Sequence, residues 1–118
     1  MQNCLFCRMV RGEITPQTVL DTDDILAFRD ISPAAPSHVL IVPKRHVATI
    51  NDVTGSDAPL LGQLFVAARQ VAASEGLAED GYRLVVNCNA NAGQSVFHVH
   101  MHLLGGEPMG WPPFPRES

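Results

Sequence analysis

The stretch "QSVFHVHMHLLGG", residues 94–106, places three of the chain's five histidines at every second position and fills the gaps with Val99 and Met101. Side chains alternate across a strand, so the spacing predicts His98, His100 and His102 on one face and Val99, Met101 and Leu103 on the other. Neighbouring imidazoles would then stand roughly 6.5–7 Å apart along the strand. The apolar set suits packing under a helix. Three imidazoles on one face, beside the Asn/Gly-rich loop "NANAGQ", make a poor core and a better site. Two chemistries can use such a row. Histidines at i and i+2 can share a Zn²⁺ ion. Alternatively, a free imidazole with a pKa near 6.5 is largely unprotonated at neutral pH and can attack phosphorus or move a proton. Spacing alone does not separate the two.

Working outward, 118 residues with 46% apolar and 17% charged side chains suit one domain spanning 1–118 with a real core. The net charge is −4, and Lys and Arg occur mostly singly, without the basic stripe that neutralises a nucleic-acid backbone. A nucleotide partner is therefore expected to be small. The runs "LLGQLFVAA" and "HVLIVP" are too short to span a bilayer, and "MQNCLFC" lacks the pattern of a signal peptide. The expectation is a soluble, cytoplasmic protein. An odd count of three cysteines argues against a fully paired disulfide framework. Cys88, at the end of an apolar run, reads as a small buried residue.

"CLFCRMVRGE" supports one or two helical turns stopped at Gly12, an N-terminal helical segment within 1–12. "TVLDTDDILAFRDI" carries two short β-prone runs around an Asp-rich turn at 21–24. "SPAAPS" is a loop, and "HVLIVP" a strand closed by Pro43. Ser56 and Asp57 can cap a helix over 58–75, whose stripe Leu60, Leu61, Leu64, Phe65, Ala68, Val71 and Ala72 follows i, i+3, i+4 spacing. "GYRLVVNC" and "SVFHVHMHLLGG" are the last two strands. Short connections favour antiparallel pairing, hence an α+β class. His38 shares a strand face with Leu40 and Val42 and can stand beside the three histidines; Asn87 shares a face with Val85. Asp30 alone reads as a turn residue before Ser32-Pro33. The tail over 107–118 is Pro-rich, but Trp111 and Phe114 are costly to leave in water, so the part around Trp111 is expected to dock.

"HVHMHLL" fits the pattern His-φ-His-φ-His-φ-φ, with φ apolar, and resembles the signature of the histidine triad (HIT) family of nucleotide-binding proteins. "FRDISPAAPSHVLIVPKRH", "GYRLVVN", "AGQSVFHVHMHLLGG" and "WPP" follow in order over nearly the whole chain and look like its Hint branch, the nucleoside phosphoramidase type. The resemblance implies a five-stranded antiparallel sheet with one long helix and a short N-terminal one. It implies that His100 attacks the α-phosphorus of a purine nucleoside 5′-phosphoramidate of the AMP-lysine type, forming a nucleotidyl-histidine that water hydrolyses. His102 and His38 would contact the phosphate and, with Ser95, support catalysis. Asn87, Gln94 and Ser95 match phosphate-side and leaving-group contacts, and backbone N–H groups near Ser95 and Val96 can hold developing charge. Asp30 would accept hydrogen bonds from the ribose hydroxyls, with Phe28 and Ile31 lining the base pocket for AMP or GMP. A homodimer is implied, with the tail at Trp111 reaching the partner's site and shaping leaving-group choice. The extension "FPRES" departs from the shortest Hint ends. The uridylyltransferase relatives carry Pro between the first two histidines and Gln in place of the third, and Val99 and His102 differ from both. The dinucleoside polyphosphate hydrolase branch shares the triad, but "WPP" favours Hint.

Cys4 and Cys7 are spaced to share a metal ion but lack two further ligands. Some relatives hold a structural zinc with such a C-x-x-C, a histidine like His46 and the first triad histidine, so the resemblance implies Zn²⁺ at Cys4, Cys7, His46 and His98. A Cys₂His₂ set is closed and leaves the metal no part in bond-breaking. The plainer readings are two thiols in a hydrophobic plug and a solvated His46. Two other functions remain open from the sequence: a zinc-stabilised nucleotide-binding or interaction module with vestigial hydrolysis, and a tri-His metallohydrolase.

Overall fold

A computed structural model describes residues 3–114. The β-prone runs form β1 (Thr18–Asp21), β2 (Ile25–Arg29), β3 (Ser37–Pro43), β4 (Tyr82–Val86) and β5 (Met101–Gly105), joined in one sheet of order β1-β2-β3-β5-β4. Every pairing is antiparallel. The β1–β2 turn is tied by Thr22, whose hydroxyl accepts the Ile25 N–H at 3.0 Å. Central β2 and β3 are buried on both faces, as near-continuous runs of Ile, Leu, Val and Phe require.

The two faces have different covers. On one, α2 (Ala58–Ser74) lays Leu64, Ala67, Ala68, Val71 and Ala72 against Ile25, Ala27, Val39, Ile41, Met101 and Leu103. On the other, α1 (Leu5–Val10) inserts Phe6 against Leu26, Phe28, Leu40 and Val42. The short helix covers only part of its face and leaves the rest to the histidines. Register confirms the shared face: His102 stands opposite Leu40 and Val85, and His38 opposite Leu104. Among the described residues, no helix is long and apolar enough to cross a membrane.

Several expectations shift. The last strand starts at Met101 rather than Ser95. The His98 and His100 rings both meet Phe6 upstream of β5, but the Val99 N–H bonds to the Val47 carbonyl at 2.7 Å, outside the five-strand ladder. Asp57 stands at the N-cap of α2, but its side chain makes no capping bond to that helix: it closes a 3₁₀ turn (Gly55–Asp57), accepts the Thr54 N–H at 2.8 Å and pairs with Arg45. The helix ends at Ser74 with Glu75 as its C-cap. Phe65, placed on the buried stripe by its spacing, is 60% exposed, whereas Ala67 is buried in its stead. Alanines at 67, 68 and 72 let the helix approach the sheet closely, on a stripe rotated away from Phe65.

The described part of the tail is tied to Arg83. The Arg83 guanidinium donates to the Gly110 carbonyl at 2.8 Å and lies 5.9 Å from the Trp111 ring centroid. Trp111 is nonetheless 81% exposed. The last four residues of the tail, 115–118, lie outside the described residues.

Candidate active site

The half-covered face of the sheet holds a cavity of about 450 Å³. Its floor is Phe28 and Leu40, its walls include Phe6 and Met9 from α1, and its polar end carries Asp30, Ser95, His100 and His102, with Ile31 and Val96 at the sides. A larger hollow of about 610 Å³ lies elsewhere, bounded by Glu75, Asp80 and Glu107. That hollow offers a phosphate the carboxylates of Asp80 and Glu107, whereas an apolar slot ending in imidazoles suits a nucleotide.

Hydrogen bonds fix the protonation pattern of the histidines. The His100 Nδ1 faces the His98 carbonyl at 2.7 Å. A carbonyl only accepts, so Nδ1 carries the proton and Nε2 keeps its lone pair for attack. The Ala34 N–H donates to His38 Nδ1 at 3.0 Å, which places the His38 proton on Nε2. That Nε2–H meets His102 Nδ1 at 2.9 Å, so the neutral His102 ring carries its own proton on Nε2. One imidazole is thus arranged as a nucleophile and its neighbour as a donor. The His100 and His102 rings are 5.0 Å apart, and Phe6 packs edge-on against His100 at 5.1 Å.

Burial keeps His102 and His38 neutral. His102 is pushed down to about 4, first by desolvation and then by the neighbouring His100 and His38, against the pull of Asp30. His38 is lowered by burial, with Asp30 opposing. The Asp30 Oδ2 lies 3.5 Å from His38 Nε2, while its Oδ1 accepts the Ser32 N–H at 2.7 Å. The turn role and the site position therefore coexist in one carboxylate. Donor atoms of Asp30, His38 and His102 all lie within 4.8 Å of one another, close enough to invite a cation. The Ala34 bond argues against it: with Nδ1 tied as an acceptor, Nε2 carries a proton where a metal needs a lone pair.

The loop between β4 and the histidines turns through a 3₁₀ segment (Ala90–Ala92) and Gly93, whose φ of +82° lies in the left-handed region. Gln94 holds it from inside. Its Oε1 accepts the Asn89 N–H at 2.9 Å, and its Nε2 donates to the carbonyls of Ala48 at 2.9 Å and Val96 at 3.1 Å. These bonds occupy the buried amide, so its visible work is shaping the loop that presents Ser95. Asn87 lies just beyond β4, half-buried. Trp111 does not line the histidine cavity.

Beside this cavity sits a second constellation. Cys4, Cys7, His46 and His98 bring one donor atom each to within 4.8 Å of one another. Cys4 Sγ is 3.3 Å and Cys7 Sγ 3.5 Å from His98 Nδ1, and Cys7 Sγ is 3.3 Å from His46 Nδ1. Tetrahedral zinc with ordinary Zn–S and Zn–N bonds has an S···N edge of about 3.5 Å. The donor chemistry fits as well. His98, 0% exposed, points Nε2 at the Pro43 carbonyl at 2.6 Å, which puts its proton there and frees Nδ1 towards the sulfurs. Burial lowers the pKa of His98 and His46, favouring the neutral rings a metal needs, and raises that of the Cys7 thiol. Without a cation, burial holds that thiol protonated; bound metal would favour its thiolate.

An apolar nucleotide-sized cavity ending in a hydrogen-bonded row of histidines is the site of a histidine triad protein. The HIT domain family matches residues 11–109, and the chain belongs to it. It is 47% identical over 109 residues to the purine nucleoside phosphoramidase of Escherichia coli (strain K12), covering 92% of each chain. A HIT family hydrolase from Legionella pneumophila Philadelphia 1 superposes with a TM-score of 0.93 at 54% identity, over 95% of this chain and all of that one. A histidine triad nucleotide-binding protein from Candida albicans does so at 0.80 and 30%, over 98% of this chain and 87% of that one. The five-stranded antiparallel sheet with one long and one short helix is thus the expected fold. Cys4, Cys7 and Trp111 lie outside the matched family segment.

Proposed function

We propose that the chain hydrolyses the P–N bond of purine nucleoside 5′-phosphoramidates through a nucleotidyl-histidine on His100. The observation that carries this reading is the bond from His100 Nδ1–H to the His98 carbonyl, because it leaves Nε2 unprotonated in the cavity wall. The lone pair of Nε2 forms a bond to the α-phosphorus, and the P–N bond breaks as the leaving amine takes a proton from solvent, which the hydrolytic water returns in the second step. Positive charge arising on the ring is held by the His98 carbonyl. Water then attacks phosphorus from the vacated side, releasing the nucleoside monophosphate and restoring His100. His102, with its remaining proton on Nε2, supplies a neutral donor to the phosphoryl oxygens or the departing nitrogen. His38 acts from behind by keeping that proton in place. Asp30 takes the ribose hydroxyls, Phe28, Ile31 and Phe6 enclose the base, and Asn87, Ser95 and Val96 face the phosphate. The name of the Escherichia coli relative supports purine phosphoramidates as the substrate class.

The metal we assign to Cys4, Cys7, His46 and His98 is zinc, on the strength of the mixed thiolate–imidazole donor set and its edge lengths. It would be a structural ion, joining α1 to the segment that carries His100. Every position of the tetrahedron is taken by protein, so the chemistry of the P–N bond belongs to the histidines. We also infer a homodimer. The edge strand β4 and the exposed Phe65, Val66, Val86 and Phe97 support a second copy as their cover. The reading is tested by steady-state hydrolysis of adenosine 5′-phosphoramidate by wild type and His100→Ala. Turnover is expected to fall by about 10³-fold or more while AMP binding persists. Equal turnover in a folded variant would refute it. A folded, AMP-binding wild type without turnover would favour the binding-module alternative.

A further inference from the structure

One carboxylate outside the histidine cavity ties together residues that the mechanism leaves unexplained. Glu75 is the C-cap of α2 and is rigidly set there. Gly76 follows at φ +75°, its N–H bonds to the Ala73 carbonyl at 3.2 Å, and the Leu77 N–H reaches back to Ala72 at 2.9 Å. This is the Schellman closure, with Leu77 buried beyond it. From that anchor the Glu75 carboxylate receives both Arg29 nitrogens, Nη1 at 2.7 Å and Nη2 at 2.8 Å. The Ser37 hydroxyl donates to the same carboxylate at 3.1 Å.

Arg29 ends β2 and Ser37 begins β3, so one carboxylate holds both ends of the loop over residues 30–36. Side chains alternate along a strand, and each clamped residue has a site residue as its neighbour on the opposite face. Arg29 precedes Asp30, and Ser37 precedes His38. The loop also carries the Ala34 N–H that fixes the His38 proton. Its middle, Ile31 to Ala34, is exposed and gains little from burial. The Arg29 bonds hold the Glu75 carboxyl below its usual pKa, so the clamp is charged at neutral pH.

We propose that Glu75 is a positioning residue for nucleotide recognition, setting Asp30 and the Ala34–His38 bond by holding Arg29 and Ser37. The inference rests on Asp30 taking the ribose hydroxyls. A clamp serving stability alone would leave ribose discrimination untouched, which makes discrimination the readout.

The test titrates the full chain with AMP and with 2′,3′-dideoxy-AMP, for wild type, Glu75→Ala, Glu75→Gln and Ser37→Ala, with a melting curve for each. Wild type is expected to prefer AMP by about tenfold or more, the scale of hydrogen bonds to a charged group. Glu75→Ala should lose most of that preference by weakening AMP, with dideoxy-AMP within about twofold of wild type; KM for the phosphoramidate should rise more than kcat falls. Glu75→Gln, which keeps an acceptor, should fall between. If Glu75→Ala does not fold, Glu75→Gln and Ser37→Ala carry the test, the latter with a loss of roughly two- to threefold. A folded Glu75→Ala with the wild-type preference would overturn the positioning role. If wild type itself fails to distinguish the two nucleotides, the ribose role of Asp30 is wrong and the proposal falls with it.

Discussion

His102 illustrates how one residue's burial becomes a property of the whole chain. Its pKa is about 4 in the fold against 6.5 outside it. Between those values the unfolded chain binds a proton that the native state rejects, so native stability is full above about pH 6.5 and declines as pH falls towards 4. The ring is only half-buried, and solvent screening reduces the contribution to about 1–2 kcal/mol. His38, lowered by the same cause, adds in the same direction. Denaturant melts of wild type and His102→Asn from pH 7 to pH 4.5 should show a shallower loss in the variant; parallel curves would contradict the assignment. Gln94 offers a second check at this scale. Its amide holds three backbone groups, so Gln94→Ala should cost about 1–3 kcal/mol and raise KM through a loosened loop. An unchanged melting temperature would show the loop to be held by other means.

At the scale of elements, α1 is joined to the rest by Phe6 and by the Cys4, Cys7, His46 and His98 cluster. Six residues are too few for a helix to stand alone. Strong chelation, or Cys4→Ser with Cys7→Ser, is therefore expected to lower the melting temperature and remove about one equivalent of bound zinc per chain. Elemental analysis of protein purified without added metal checks the second point, and a metal-free wild type of equal stability would count against the site. On the opposite face, Met101 lies in the core beneath α2. Met101→Ala should cost about 2–5 kcal/mol, measured by denaturant unfolding. The sequence made much of this legible. Short β-prone and apolar runs bounded by turn residues marked β1 to β4, and His38 was placed beside the triad by face alone. The start of β5 was not, because alternation reports which face a side chain takes and is silent on which strand pairs with it. Likewise the apolar spacing of α2 includes Phe65, but only packing decides which edge of a broad stripe the sheet covers.

For the molecule as a whole, the site is assembled from distant segments, and that limited what the sequence could disclose. The C-x-x-C spacing supplied two metal donors and the family resemblance named His46 and His98, and the fold brings all four donor atoms together. The clamp of Arg29, Ser37 and Glu75 carries no local signal, since its partners are 38 and 46 residues apart. Gln94 looked like a phosphate contact because its place in the motif says nothing of where its amide points. The inferred dimer belongs to this scale as well. Light scattering should give twice the chain mass of 12.8 kDa, and a monomer would leave the β4 edge and the exposed Phe65 without the cover inferred for them. The proposed chemistry turns on His100 as the nucleophile. Its most direct measurement is mass spectrometry of wild type and His100→Ala, quenched during turnover of adenosine 5′-phosphoramidate. An adenylyl adduct is expected on His100 in the wild type and none in the variant; turnover with no adduct under conditions that preserve phosphohistidine, or an adduct on another residue, would rule out His100 as the nucleophile.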